Sequence, residues 1–356
     1  MNGREPLLRV EDLSVRFEGD GPVVYPVTDL SLTVDRGETV CLVGESGCGK
    51  TVTCESLTRL LPSPPAIVDG RILLDGQDVL AMSEQELQEL RGSRIAHVFQ
   101  NPQGALNHVY TVGWQIIEAI RLHRDVDRAT ARREAIELLD RVGIPDPGNR
   151  VDDYPHELSG GQKQRVMIAM ALAAEPDLLI ADEPTTALDV TIQASILDLM
   201  AELTEEEDMG LLFVTHDLGV VAAVADRVVV MYAGSVVEEG PVERVLDEPA
   251  HPYTRALLEC LPGRGGDTSG IGGDPPDPTV LPSGCRFHPR CPHAVEACSE
   301  GDPPPLTGLG EEHAVSCIYY EPGFEPPPTN GDDAPPFVTP PRQWAGSSGS
   351  GEGGAE

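Results

Sequence analysis

The stretch GESGCGKT, from Gly44 to Thr51, decides the fold class of this 356-residue chain. It follows the apolar run TVCLV and precedes a helical pattern, and it fits G-x-x-x-x-G-K-[ST]. Glycines at this spacing let backbone N–H groups turn inward around phosphate oxygens, while the start of the helix adds positive potential. The pattern predicts a nucleotide phosphate site in an α/β protein, and a plain glycine turn before a helix is the alternative.

Residues 44–51 are called the phosphate loop below. Lys50 is predicted to reach the terminal phosphates, and the Thr51 hydroxyl to ligate Mg²⁺. The candidate nucleotide-binding residues of the loop are Gly44, Glu45, Ser46, Gly47, Cys48, Gly49, Lys50 and Thr51.

An acidic pair follows the buried apolar run LLIA within LLIADE. Asp182 stands at the C-terminal end of this predicted strand, where ligands bind in open α/β sheets. Asp182 would hold Mg²⁺ directly or through water. Glu183 comes next and is the candidate to polarise an attacking water. Two exposed carboxylates ending a strand are the alternative, which the phosphate loop disfavours.

The stretch ELSGGQKQRV, residues 157–166, predicts a second anion site at a helix start. It contains Lys163, and the only other lysine of the chain is Lys50 of the phosphate loop. The polar groups available at this helix start belong to Ser159, Gly160, Gly161 and Gln162. One chain with two phosphate-binding helix starts needs either two ligands or two chains that share one.

Together these motifs resemble the ATP-binding subunit of ABC transporters, over roughly residues 7–260. The resemblance implies a P-loop NTPase fold with a helical subdomain, and it implies ATP and Mg²⁺ as ligands. It also implies that two such domains face head to tail. The signature segment 159–162 of one domain then closes on the γ-phosphate held by the phosphate loop of the other.

Further residues match that family's motifs. Gln100 in VFQNP resembles the glutamine that senses Mg²⁺ and couples to the transmembrane partner. Asp189 in TTALD resembles the aspartate at the dimer seam, and His216 in FVTHD resembles the switch histidine near the γ-phosphate. Phe17 in LSVRF resembles the aromatic residue that stacks on adenine. Tyr25 is a second candidate for that role, and both residues could instead belong to the core.

Three longer stretches resemble the ATPase subunits of oligopeptide and dipeptide importers: YPHELSGGQKQR, ADEPTTALDVTIQASIL and HPYT at 251–254. Nickel importers are close relatives. Where that group usually reads SLNP, this chain reads ALNH, ending at His108. The resemblance implies an ATPase that powers import of oligopeptides or dipeptides, with nickel or another solute as the alternative.

The resemblance also implies partners and a location. The partners are two transmembrane permease subunits, an extracytoplasmic solute-binding protein and a second ATP-binding subunit, either a paralogue or a second copy. The chain itself has no run of about 18 apolar residues and no apolar leader. We therefore expect it at the cytoplasmic face of the cell membrane, held there through the permease.

The charge balance excludes some functions. The chain has 59 Asp and Glu against 25 Lys and Arg, which gives a net charge of −34. Such a surface repels nucleic acid and anionic lipids, so a DNA-repair role is disfavoured. The single phosphate loop disfavours a translation-associated ABC protein, which carries two. Only two of the 25 cations are lysines, and this composition resembles that of proteins from high-salt cytoplasm; an acidic mesophile protein is the alternative.

The pattern of apolar residues predicts the organisation of the chain. Residues 1–260 form the ATP-binding domain, with a covered parallel sheet and a helical insertion at about 101–165. One helix is expected at 131–142, and strands are expected at 13–17, 30–34, 39–43, 178–182, 211–215 and 227–232. A linker at 261–284, a small Cys-rich region at 285–321 and a disordered tail at 322–356 follow.

The eight cysteines divide into two groups. Cys41, Cys48, Cys54 and Cys260 are predicted to be small apolar fillers. Four later cysteines have five, six and eighteen residues between them, which is unlike a zinc ribbon. The importer ATPases that the chain resembles carry a similar region, with a [4Fe–4S] cluster in some members. The candidate ligands of such a cluster, with zinc as the alternative, are Cys285, Cys291, Cys298 and Cys317.

Overall fold

Five parallel strands form the centre of the fold in the computed structural model, which describes residues 5–100, 102–186, 188–260, 271–310 and 312–324. Antiparallel strands extend the sheet on one side, so that its order is β11-β12-β10-β9-β3-β8-β7-β6. The strands of this central sheet are β3 (Thr39–Val43), β6 (Ile95–Val98), β7 (Leu178–Asp182), β8 (Gly210–Thr215), β9 (Arg227–Tyr232), β10 (Ser235–Pro241), β11 (Thr307–Gly310) and β12 (His313–Val315).

Both faces of the parallel strands are buried, as their unbroken apolar sequences predict. Along β7, Leu179 and Ala181 pack into one hydrophobic core, while Leu178 and Ile180 pack into the other. The expected strands at 39–43, 178–182, 211–215 and 227–232 are confirmed within one residue. The covered parallel sheet therefore carries the site-bearing loops at the carboxyl ends of its strands.

A second sheet, which is antiparallel, was not predicted. It has the order β2-β1-β4-β5 and contains β1 (Leu8–Phe17), β2 (Val24–Val34), β4 (Ala66–Leu74) and β5 (Gln77–Asp78). The strands expected at 13–17 and 30–34 lie in this sheet rather than in the parallel one. Their burial alternates along much of β1 and β2, as in a sheet that buries one face.

The described residues also form eleven α-helices. They are α1 (Lys50–Ser56), α2 (Glu84–Leu90), α3 (Pro102–Ala105), α4 (Val112–His123), α5 (Arg128–Arg141), α6 (Pro147–Arg150), α7 (Gly160–Leu172), α8 (Val190–Glu207), α9 (Leu218–Val224), α10 (Val242–Asp247) and α11 (Pro252–Glu259). The helix expected at 131–142 is α5, and Ala131, Ala135 and Leu139 are its buried residues. None of the helices in the described part is long and apolar enough to cross a membrane.

Helices alone, with one 3-10 turn, occupy the described residues between β6 and β7. This is the stretch predicted as a helical insertion over 101–165. The last helix of the stretch, α7, begins inside the expected range and continues to Leu172, where it leads back to β7 in the central sheet.

The C-terminal part is joined to the central sheet rather than appended to it. Strand β12 pairs with β10, with Val315 opposite Glu238 and Ala314 opposite Glu239. The free edge of β10 offers backbone N–H and C=O groups that a later strand can satisfy. The described half of the expected linker also makes contacts, since the Tyr25 N–H donates to the Pro278 carbonyl at 2.9 Å. Residues 261–270 of that linker, and 325–356 of the expected disordered tail, lie outside the described residues.

Candidate functional site

The phosphate loop connects β3 to α1 and is packed tightly from behind. Gly49 has φ +108°, and a Cβ there would lie 2.1 Å from the Pro26 carbonyl oxygen of β2. A Cβ on Gly44 would lie 2.2 Å from the Met231 carbonyl oxygen of β9. Side chains at these positions would push the loop away from the sheet, so both glycines are required for its path.

Lys50, the first residue of α1, is 6% exposed. Its ammonium nitrogen donates to the carbonyl oxygens of Gly44 at 2.8 Å and Glu45 at 3.0 Å. These bonds hold the positive charge across the mouth of the loop. The predicted phosphate-binding lysine is therefore positioned by the backbone of the loop that it serves.

Asp182 ends β7 and is 8% exposed. Burial raises the pKa of Asp182, and a hydrogen bond from the Thr51 hydroxyl partly offsets that effect. A carboxylate and a hydroxyl oxygen from two different elements thus meet beside the ammonium of Lys50. Mg²⁺ prefers such oxygen ligands, so the two residues predicted to bind it lie where one ion could contact both.

The other two predicted catalytic residues, Gln100 and His216, both contact Glu183. Its Oε2 accepts from Gln100 Nε2 at 2.8 Å and from the Thr186 hydroxyl at 3.0 Å. Its Oε1 lies 3.0 Å from His216 Nδ1. Gln100 follows β6 and His216 follows β8, so neighbouring parallel strands bring these groups to one edge.

Glu183 has a strained backbone and an ionised carboxylate, and the ionised form is the one that can accept a proton as a general base. Its φ is +46°, a conformation that costs free energy for a residue other than glycine, and its N–H donates to the Val214 carbonyl at 2.9 Å. Burial acts to raise the pKa of Glu183, but the hydrogen bonds from His216 and Thr186 outweigh it, and the pKa is lowered. The carboxylate is therefore ionised at neutral pH.

The signature segment 159–162 caps α7. Ser159 Oγ accepts from the Gln162 N–H at 3.3 Å, and Gln162 Oε1 accepts from the Ser159 N–H at 3.0 Å. Asp189 similarly caps α8 by accepting from the Ile192 N–H at 3.0 Å. Within the described residues, no hydrogen bond or ion pair joins these groups to the phosphate loop. The structure thus keeps the two predicted anion sites of one chain separate.

The two candidate adenine-stacking residues lie in different surroundings. Phe17 ends β1 and packs, partly buried, against the core between the two sheets. Tyr25 is 39% exposed and lines a small cavity beside the phosphate loop. The opposite wall of this cavity is formed by the expected linker, through Pro275, Pro276, Pro278 and Leu281.

The four late cysteines line a second, small cavity. Burial raises the pKa of Cys285, that of Cys291 to about 11 and that of Cys317 to about 12, so the thiols are neutral without a bound cation. Cys298 is 6% exposed. Nevertheless, no three His, Cys, Asp or Glu side chains in the described ranges are grouped as a single metal ion would require. The expected cluster or zinc ion thus has converging cysteines here but no ready-made ion site.

Several contacts of the site were missed by the sequence reasoning. The backbone N–H of Glu45 donates to the Tyr253 hydroxyl at 2.8 Å, and the Glu45 carboxylate pairs with Arg290. Thr186 bonds to Glu183. HPYT, which contains Tyr253, was noted only as a family resemblance. A possible signal for Arg290 was the pair of arginines between Cys285 and Cys291, in a chain that is poor in cations.

Fold and site together define an ATP-binding P-loop protein whose catalytic groups lie at the carboxyl edge of a parallel sheet. The family described as ABC transporter matches residues 27–186, and the family described as oligopeptide/dipeptide transporter, C-terminal region, matches residues 237–298. The chain belongs to the ATP-binding subunits of ABC transporters. It is therefore an ATPase coupled to transport.

Relatives of nearly the same length support this assignment. A putative peptide import ATP-binding protein of Brucella abortus is 50% identical over 333 residues, which span 89% of this chain and 98% of the relative. A protein of Brucella melitensis with the same description is 48% identical over 315 residues, spanning 88% and 94%.

Solved structures of ATP-binding cassettes share the fold. A dimeric cassette in a post-hydrolysis state, bound to ADP and Pi, has a TM-score of 0.60 at 26% identity and covers 66% of this chain and 98% of its own. A Clostridium perfringens cassette that is part of an ABC transporter complex has a TM-score of 0.59 at 30% identity, covering 69% and 92%.

Proposed function

We propose that this chain is the ATP-hydrolysing subunit that powers import of oligopeptides or dipeptides through a membrane permease. The observation that carries the proposal is the convergence of Gln100 and His216 on the ionised Glu183, beside Lys50 and Asp182. The match of residues 237–298 to the C-terminal region of oligopeptide and dipeptide transporters, and the names of relatives near 50% identity, support a peptide as the solute.

The proposed chemistry follows from the residues present. Lys50 and the backbone N–H groups of the phosphate loop bind the phosphates of ATP and stabilise the charge that develops on transfer. Thr51 and Asp182 would hold Mg²⁺, which when bound neutralises phosphate charge. Glu183 accepts a proton from the attacking water, and Gln100 and His216 orient its two carboxylate oxygens.

We further propose that the ATPase works as a head-to-tail dimer. The signature segment 159–162 has no hydrogen bond to the phosphate loop of its own chain among the described residues. A second copy or a paralogue would supply that segment to the γ-phosphate, and Asp189 would lie at the seam. The dimeric cassette bound to ADP and Pi is consistent with this arrangement. The helical stretch after Gln100 would dock on two permease subunits, which receive solute from an extracytoplasmic binding protein.

Transport by the reconstituted complex tests this function. The chain is co-expressed with candidate permeases and a binding protein from the same organism, and the complex is placed in lipid vesicles with ATP at the ATPase face. We expect ATP-dependent uptake of labelled oligopeptides or dipeptides, and loss of uptake with Glu183→Gln. Uptake of Ni²⁺ instead of peptide would show that the solute is nickel. DNA binding without uptake of any solute would refute the transport function.

We also propose that Cys285, Cys291, Cys298 and Cys317 hold a [4Fe–4S] cluster. All four line one cavity, and so does His251, which is 1% exposed. Its Nδ1 accepts from the Tyr253 N–H at 3.1 Å, so its proton is on Nε2, which has no hydrogen-bond partner among the described residues. A buried N–H without an acceptor is costly, and cluster sulfur would supply one. When bound, the group would mainly stabilise the folded C-terminal part.

Iron and acid-labile sulfide in anaerobically purified protein test the cluster. We expect about four iron atoms per chain, which is the content that defines a [4Fe–4S] cluster, and broad absorption in the visible range. Cys291→Ser should remove both, whereas Cys54→Ser, which alters a fully buried cysteine of α1, should leave them. If the protein contained about one zinc ion per chain and no iron, the cluster assignment would be wrong and zinc would take its place.

A further inference from the structure

The C-terminal chain holds Glu45 of the phosphate loop at two points. The Glu45 N–H donates to the hydroxyl of Tyr253 in α11 at 2.8 Å. The Glu45 carboxylate accepts from Arg290 Nη1 at 2.6 Å and from Arg290 Nη2 at 3.0 Å. Arg290 lies 245 residues further along the chain. The ion pair is therefore a tertiary link between the phosphate loop and the cysteine-containing segment.

The guanidinium of Arg290 is held in place by the groups around it. Its side chain is 4% exposed, and each of its five N–H donors has an acceptor. Besides the two bonds to Glu45, it donates to the Tyr232 hydroxyl at 3.2 Å and to the carbonyls of Gly272 at 2.9 Å and Ile271 at 3.1 Å. Paired charge-assisted bonds between an arginine and a carboxylate are among the stronger hydrogen bonds and fix the relative orientation of the two groups.

The chain between Cys285 and Cys291 makes further contacts behind the same loop. The ring of Phe287 packs against Tyr232 and Tyr253, with centroids 5.2 and 5.4 Å apart. Arg286 donates to the carbonyl of Ala233, and the next residue, Gly234, donates from its N–H to the Cys48 carbonyl of the phosphate loop at 3.0 Å. The segment 285–291 thus supports the loop directly at Glu45 and indirectly at Cys48.

We propose that Arg290 is a positioning residue for the phosphate loop, through which the C-terminal part sets the affinity of the loop for ATP. The inference rests on the proposed function in that ATP is the ligand. Lys50 is hydrogen-bonded to the Glu45 carbonyl, so a displaced Glu45 also displaces the ammonium that binds phosphate. Without Arg290, the Glu45 carboxylate would also present an unneutralised negative charge near the phosphates. Both effects weaken ATP binding.

Turnover should be affected less than binding. Gln100, Glu183 and His216 make no contact with Arg290 among the described residues, and their mutual hydrogen bonds do not pass through the phosphate loop. A positioning role through the loop therefore predicts that KM rises by a larger factor than kcat falls, since only Lys50 links the loop to the transfer step. General unfolding of the C-terminal part would instead lower the fraction of active protein, which lowers the apparent kcat and leaves KM unchanged.

The test uses the full chain and compares Arg290→Gln and Arg290→Lys with Arg132→Gln. Arg132 also forms a two-point pair, with Asp152 at 2.9 and 2.7 Å, but on the helical stretch. We expect Arg290→Gln to weaken ATP binding and raise KM by about tenfold, within the usual ~5–150-fold range of coupling between sites. The ATP affinity of Arg290→Lys should lie between those of the parent and Arg290→Gln, since lysine keeps the charge but cannot make the paired contact. Arg132→Gln should match the parent.

A double-mutant cycle with Glu45→Gln separates positioning from general destabilisation. If Arg290 acts through Glu45, Glu45→Gln adds no further loss of ATP affinity to Arg290→Gln, and it restores the part that came from the unneutralised carboxylate. Thermal unfolding of each variant shows whether the C-terminal part is intact. Additive losses, or Arg290→Gln within about twofold of the parent affinity, would overturn the inference. A parent that does not bind ATP would instead refute the proposed function.

Discussion

The replacement of Glu183 by glutamine isolates the catalytic base from the binding of ATP. In the structure, Glu183 Oε2 accepts from Gln100 and Thr186, and Oε1 faces His216 Nδ1 at 3.0 Å. An amide of the same size can keep its oxygen toward the first two donors. Its NH₂ group can then donate to His216 Nδ1, because a neutral imidazole can carry its proton on the other nitrogen. The substitution therefore leaves His216 Nδ1 with a hydrogen-bond partner.

The expected result is a large loss of turnover with binding preserved. Removal of a general base typically costs about 10²–10⁴-fold in rate. No contact of Lys50 or of the phosphate-loop glycines is altered, so ATP affinity should stay within about threefold of the parent, less than the loss of one typical hydrogen bond. Phosphate release measures the turnover rate, and equilibrium binding of a labelled nucleotide measures the ATP affinity. The closed dimer should also accumulate with ATP, which size-exclusion chromatography would detect.

The matched control is Glu183→Ala, which leaves Gln100 and Thr186 without their acceptor and should disturb the site as well as the chemistry. Because the pKa of Glu183 is lowered, protonation of this group should reduce the parent's turnover only as the pH falls below 4.5, the ordinary value for glutamate. The stability that the ionised Glu183 carboxylate contributes is present above pH 4.5 and is lost as the pH falls through the lowered pKa of the folded state. If Glu183→Gln turned over ATP at the parental rate, the assignment of the base would be wrong.

Three further perturbations test the loop, the helix packing and the charge of the surface. Lys50→Ala should weaken ATP binding itself by at least about tenfold, as expected for loss of charged hydrogen bonds, and unchanged affinity in a binding titration would contradict its role. Gly161→Ala places a Cβ 2.6 Å from Ile192 Cγ2 and should cost about 1–3 kcal/mol in thermal unfolding, whereas at Gly160 the nearest atom is 3.9 Å away and the same change should be nearly neutral. With a net charge of −34, the melting temperature should rise from dilute buffer to molar KCl, because salt screens carboxylate repulsion; a flat or falling curve would remove the high-salt interpretation.

The sequence by itself determined the local parts of the site. The phosphate loop, Asp182 at the end of β7 and the capped helix start at Ser159 are each formed by residues within a few positions of one another. Turn conformation, helix capping and a buried apolar strand depend on such near neighbours, so their chemistry can be read from short patterns. That the central sheet is parallel and covered was predicted from the same patterns, whereas the order of its strands was not.

Only the tertiary structure decided which residues from distant parts of the chain contact these local motifs. Gln100, Glu183 and His216 converge because β6, β7 and β8 are neighbours in the sheet, which their sequence separation does not specify. The antiparallel second sheet, the addition of β12 to β10, and the pairing of Arg290 with Glu45 likewise join distant residues. Such contacts form only when the whole chain packs, since the edge of a sheet or a buried carboxylate accepts whichever partner the rest of the fold delivers to it.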